Sequence, residues 1–214
     1  MCSLMMAPNL SADICVDTTN CTFTFNVTNG GTLGDFGTVN LSTSGSDILF
    51  TVQLAPGLHL IETGSHQSFD FNDTGSGVTL GSFSNAQYSQ DSPPPFHDNG
   101  FGTFKDAVTS TAGPGAGTTG VNLLTFKVIG HTNVNDVVGL SSGATNAYFA
   151  ADIFADSSAC GATGFGTSCT GLIGVTGAPS TVPEPSSYLA LLMIGFGGIV
   201  LSVERQRRNR LTAE

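Results

Sequence analysis

Ile48-Leu-Phe-Thr-Val-Gln-Leu54 (ILFTVQL) puts Ile48, Phe50, Val52 and Leu54 on one face of an extended chain, with Thr51 and Gln53 on the other. Successive side chains of a strand point to opposite faces, so an apolar residue at every second position marks a half-buried strand. The same period recurs upstream in Cys21-Thr-Phe-Thr-Phe-Asn-Val-Thr28 (CTFTFNVT), where Cys21, Phe23, Phe25 and Val27 share a face. It recurs downstream at Phe69 and Phe71 around Asp70, and at Leu124, Phe126 and Val128 around Thr125 and Lys127. No long stretch of residues 13–180 carries a 3.6-residue apolar period. Glycine and proline turns separate the runs: Asn29-Gly30-Gly31, Ala55-Pro56-Gly57, Asp73-Thr74-Gly75, Gly113-Pro114-Gly115 and the stretch from Gly139 to Gly143. Many short strands joined by such turns predict an all-β fold, an antiparallel β-sandwich of jelly-roll-like type.

Other segments read less sharply. Residues 148–154 (YFAADIF) form a late strand, and helix is expected only briefly, around residues 85–88. Residues 90–99, with Pro93-Pro94-Pro95 in a polyproline-like run, and residues 110–120 read as loops without a core of their own. Residues 171–181 read as the way out of the domain.

Charge is distributed unevenly. The net charge is −10, and four of the six basic residues lie in the last ten positions. Only Lys105 and Lys127 face the thirteen acids of residues 1–182, a net of −11. Nucleic-acid binding needs clustered cations against phosphates, so this composition excludes it. An acidic surface also disfavours direct adsorption to anionic lipid. Fifteen phenylalanines and no tryptophan leave Phe, Val, Leu and Ile to build the core.

The end of the chain has three parts in order. Val182-Pro183-Glu184-Pro185 is an extended strip that the prolines keep out of any helix interior. An apolar run follows to Val203 (YLALLMIGFGGIVLSV from Tyr188), and counting from Ser186 gives an 18-residue span, against the usual ~20. Arg205, Arg207, Arg208 and Arg210 close the chain as a basic cluster that stays cytoplasmic, with Glu204 between them and the span. This arrangement resembles the PEP-CTERM sorting signal of Gram-negative bacteria. The resemblance covers about 30 residues, and three features in the right order make it specific. It implies recognition by an exosortase, a membrane-embedded cysteine transpeptidase-like enzyme, with Val182, Pro183, Glu184 and Pro185 as the sorting motif and the arginines fixing topology. It also implies processing near the motif and release to the cell surface or an exopolysaccharide matrix.

The expected organisation follows. Residues 1–12 are a signal-peptide remnant ending in Leu10-Ser11-Ala12, residues 13–178 the sandwich ectodomain, and residues 179–185 a proline-containing linker with the motif. Residues 186–203 are a single transmembrane helix and residues 204–214 a basic cytoplasmic tail. The ectodomain would pass through the periplasm, held transiently at the inner membrane by that helix. Cys15 and Cys21 enclose five residues and Cys160 and Cys169 eight, so two local disulfides suit an oxidising compartment, although four cysteines allow three pairings. A zinc site is the competing use of these thiols, but neither pair has C-x-x-C spacing.

Residues that could carry chemistry are scattered. Glu62, Asp70, Asp73, Asp91, Asp98, Asp152 and Asp156 are the acids from which a glycosidase pair would come. The plainer expectation is solvated acids on strand and loop surfaces. Asp70, Asn72 and Asp73 in FDFNDTG offer hard oxygens suited to calcium, the one cofactor class the sequence brings up, though capping of turns explains the same residues. His59, His66, His97 and His131 form no H-x-H or H-E-x-x-H pattern, and no G-x-S-x-G elbow accompanies His66. The expected function is a non-enzymatic exported surface or matrix protein. A carbohydrate-binding or adhesin module that engages exopolysaccharide is the alternative, and a secreted hydrolase stands behind both.

Overall fold

Along Asp47–Leu54 every second side chain is buried, and Ile48, Phe50 and Val52 have no exposed surface. That alternation is the building rule of a chain whose computed structural model describes residues 14–75, 77–111, 120–143 and 145–179. The chain divides into two units, Met1–Ser180 and Thr181–Glu214, and the described residues all fall in the first.

One sheet has five strands in the order β1 (Asn20–Thr24), β3 (Gly37–Ser44), β4 (Asp47–Leu54), β12 (Leu123–Val128) and β7 (Leu80–Gly81). The second runs β2 (Val27–Thr28), β14 (Thr170–Val175), β13 (Phe149–Ala155), β6 (Phe69–Phe71), β11 (Asp106–Ser110) and β8 (Tyr88–Gln90), with β5 (Leu58–Leu60) also paired to β13. β9 (Phe96–Asp98) and β10 (Gly102–Phe104) form a separate hairpin. Every pairing is antiparallel.

The two large sheets face each other across one core. Phe50 of β4 stacks on Phe126 at 4.7 Å within its own sheet and meets Phe71 at 5.0 Å and Phe149 at 6.1 Å from the other. Phe23 of β1 meets Phe149 edge-on at 5.0 Å. Edge-to-face and offset rings gain from their quadrupoles beyond the area they bury, so a phenylalanine core needs no tryptophan. The expected β-sandwich is therefore present, with consecutive strands β3 and β4 forming a hairpin inside one sheet.

Three segments depart from the sequence reading. Residues 171–181 do not simply lead out of the domain: β14 lies between β13 and β2, with Leu172 to Val175 buried. Burial on both faces, and glycine at 171 and 174, erased the alternation that would have marked it. The stretch read as a coreless loop contains β9, with Phe96 and Asp98 buried, while Pro93, Pro94 and Pro95 stay exposed. Helix forms at Ser157–Thr163 (α1), ending at Gly164 in the left-handed conformation (φ 74°), and residues 85–88 make a turn leading into β8. The expected strand at 148–154 is present as β13, and the Gly113-Pro114-Gly115 turn lies outside the described residues.

Both local disulfides are formed, Cys15–Cys21 and Cys160–Cys169. The first lies at the start of β1 and the second ties α1 to the residue preceding β14. Among the described residues no helix is long and apolar enough to cross a membrane. The expected span, residues 186–203, lies outside them, as do the leader remnant at residues 1–12, Val182 to Pro185 and the four arginines.

Candidate functional site

The second sheet is covered on its other face too, and that second layer creates the most unusual chemistry of the fold. Across β11, β6, β13 and β14 the register aligns Ala107, Asp70, Ala150 and Gly174 in one row. Three tiny residues leave a shallow trough, and the β9–β10 hairpin lies in it. Phe96, Phe101 and Phe104 pack there with Ala107, Ala147, Ala150 and Leu172 as a small apolar cluster separate from the main core. The Phe101 ring rests where a side chain on Gly174 would sit. The hairpin's own turn closes through Phe101 N–H donating to the Asp98 carbonyl, and its flank bonds Ser142 through both backbone groups of Thr103.

Asp70 is the one charged type in that row. Its strand neighbours Phe69 and Phe71 face the main core, so alternation turns Asp70 toward the hairpin. Asp98 comes in from β9 and Asp152 from β13; the three are 0, 4 and 0% exposed. Both oxygens of Asp70 and one of Asp152 lack a hydrogen-bond donor, and the neighbour of Asp98 is His66 at the rim. Ionised carboxylates are not kept dry without partners, so Asp70 and Asp152 are pushed toward their protonated forms.

The electrostatics agree. Burial, followed by the charge of Asp98 and a hydrogen bond with it, pushes Asp70 well above the ordinary carboxylate range. Burial pushes Asp152 up to about 7, against hydrogen bonds from the backbone and hydroxyl of Thr63 to its other oxygen. At the rim stands His66, whose Nδ1 lies 3.4 Å from Asp98 Oδ1 and 3.2 Å from the carbonyl of His97. Its hydrogen bond with Asp98 raises its pKa. Asp91 closes the group, accepting from Gln67 Nε2 at 3.2 Å.

The remaining acids do structural work. Asp73 Oδ2 accepts from the amides of Gly75 and Gly77, and Asn72 Oδ1 accepts from the Lys105 amide. Asp106 accepts from the amides of Asp73 and Val78. The calcium candidates are therefore divided: Asn72 and Asp73 bind backbone amides and Asp70 belongs to the carboxyl cluster. Among the described residues no group of three or more His, Cys, Asp or Glu side chains is placed to hold a metal ion. Glu62 accepts from Thr109 Oγ1 and the Ser110 amide. His59 and His131 each pair with an aspartate, Asp156 and Asp136, at 3.3 Å, and His97 bonds Thr103 Oγ1 at 2.9 Å.

The expectation of solvated acids thus fails for Asp70, Asp73, Asp98 and Asp152, all buried. The sequence carried one signal of this: Asp70 sits between two phenylalanines, and Asp152 between Ala151 and Ile153, inside strands too apolar for a wet face. Asp98 had no such signal.

The PEP-CTERM protein-sorting motif family matches residues 181–208, the region that contains Val182 to Pro185, the apolar run and three of the four arginines. The chain ends in that sorting signal, which marks export to the cell envelope or surface. No curated protein and no solved structure matches the chain.

Proposed function

We propose that this chain is an exported, non-enzymatic surface or extracellular-matrix protein, delivered as a disulfide-stapled β-sandwich and sorted by its C-terminal signal. The match at residues 181–208 carries this reading. In it, an exosortase-type enzyme recognises Val182, Pro183, Glu184 and Pro185, and residues 186–203 form a helix that holds the precursor in the inner membrane. The arginines Arg205, Arg207, Arg208 and Arg210 keep the tail cytoplasmic. The sandwich, of jelly-roll-like type, is the cargo. Two disulfides suit its passage through an oxidising periplasm. Fractionation of the host with and without its exosortase tests the proposal. The protein should move from the surface or medium to the inner membrane when the enzyme is deleted; an unchanged distribution would defeat it.

A second reading, polysaccharide binding by the sandwich, draws on one surface. The outward face of the first sheet aligns Thr22, Asn40, Thr51 and Thr125 across four strands, all half-buried and uncharged. Hydroxyls and amides in such a row suit a neutral sugar chain. Saturable binding of the host's own exopolysaccharide, lost on replacing Thr51 and Thr125 by glutamate, would support it; no binding would leave the structural reading alone.

A further inference from the structure

The hydrogen bond between Asp70 and Asp98 joins two elements that share no backbone pairing. Asp70 lies on a strand inside the second sheet, and Asp98 lies on the hairpin that covers it. Both carboxyls are buried; no other donor reaches Asp70, and Asp98 has the His66 ring beside it at the rim. With one proton between them they form a single charge-assisted hydrogen bond; with none, two negative charges face each other in a dry site. The titratable groups around the pair come from every side of the trough: Asp152 on β13, Asp91 after β8, and His66 in the loop between β5 and β6. Asp152 adds negative charge as it ionises. His66 supplies the positive charge next to Asp98, and loses it as the pH rises. These changes, in the pair, in Asp152 and in His66, weaken the hairpin's seat in the same direction.

What holds the hairpin otherwise is limited. Its apolar cluster is separate from the main core, and outside the hairpin its backbone bonds run to Ser142, the Ser141 hydroxyl and the His66 ring. A local opening would therefore expose the trough and leave the phenylalanine core closed. We propose that the Asp70–Asp98 pair is a proton-operated latch, which seats the β9–β10 hairpin on the sheet in mild acid and frees it, with the sandwich still folded, as the medium turns alkaline. The latch gives an exported protein a surface that changes with ambient pH: the trough of Asp70, Ala107 and Ala150 is covered in one state and accessible in the other.

Hydrogen exchange on the full chain, corrected for the intrinsic pH dependence of exchange, tests this. Between about pH 5.5 and about pH 8.5 the amides of residues 96–104 should lose about tenfold or more protection beyond whatever loss the amides of β4 show as global stability falls. Asp98→Asn supplies a permanent donor to Asp70 and should hold the hairpin protected at both pH values. Asp70→Asn, which supplies the donor from the sheet side, should do the same and serves if the first variant does not fold. Equal hairpin protection at both pH values in the wild type would overturn the proposal. So would a loss shared equally by β4, or one that persists in the folded asparagine variants.

Discussion

At the scale of single residues, burial decides chemistry. Asp152 illustrates the sign. Its folded pKa of about 7 lies above the ordinary 3.8, so between those values the folded chain holds a proton that the unfolded chain has lost. The contribution to stability is complete below about pH 4, falls as the pH rises to about 7, and is flat beyond, on the order of 4 kcal/mol in total. His66 acts in the same sense over a higher window, since its raised pKa favours the folded state below about 6.5 and that advantage fades through its folded value. Urea titrations should therefore show a midpoint that declines from mild acid to neutral pH. Asp152→Asn, which still accepts from Thr63, should flatten that decline. A midpoint that rises over the same range would contradict the assignment. In the core, Phe50 contacts rings from both sheets, and Phe50→Ala should cost about 3–5 kcal/mol, read as a lower urea midpoint.

At the scale of elements, legibility in the sequence tracks exposure. β4 and β12 were readable because one face is dry and the other wet, which writes period two into the chain. β14 was not, because TGLIGV is buried on both sides and uses glycine where the hairpin needs room. The hairpin itself was hidden for a related reason: Phe96, Phe101 and Phe104 are separated by polar residues and serve a small core that no local period describes. The burial of Asp70 and Asp152 was legible one residue at a time, but not their meeting, since the pairing of β13 with β6 brings those two together and Asp98 arrives with the covering hairpin. Gly174→Ala tests this layer. The added carbon meets the Phe101 ring, so hairpin amides should exchange faster while β4 is unaffected; unchanged exchange would mean the ring has somewhere else to go. The staple at α1 is a separate element. Replacing Cys160 and Cys169 by serine should lower stability by about 2–3 kcal/mol, measured by urea unfolding under oxidising conditions, because the unfolded chain regains the freedom of a short loop.

At the scale of the whole molecule, two units carry two kinds of information. The sandwich is an acidic, disulfide-closed body, and the last thirty-odd residues are an address. The address was legible because it is linear: prolines, an apolar run and arginines act through composition and order, with no need for tertiary contacts. The ligand of the sandwich was not legible, because binding depends on which faces meet. The central claim is that the address is read and removed, and the intact mass of the extracellular protein from its native host measures this most directly. The account predicts a single mature species whose chain ends within the Val182–Pro185 strip, with both disulfides intact. A species that extends unbroken through Glu214, whether in the medium or in the inner membrane, would contradict it.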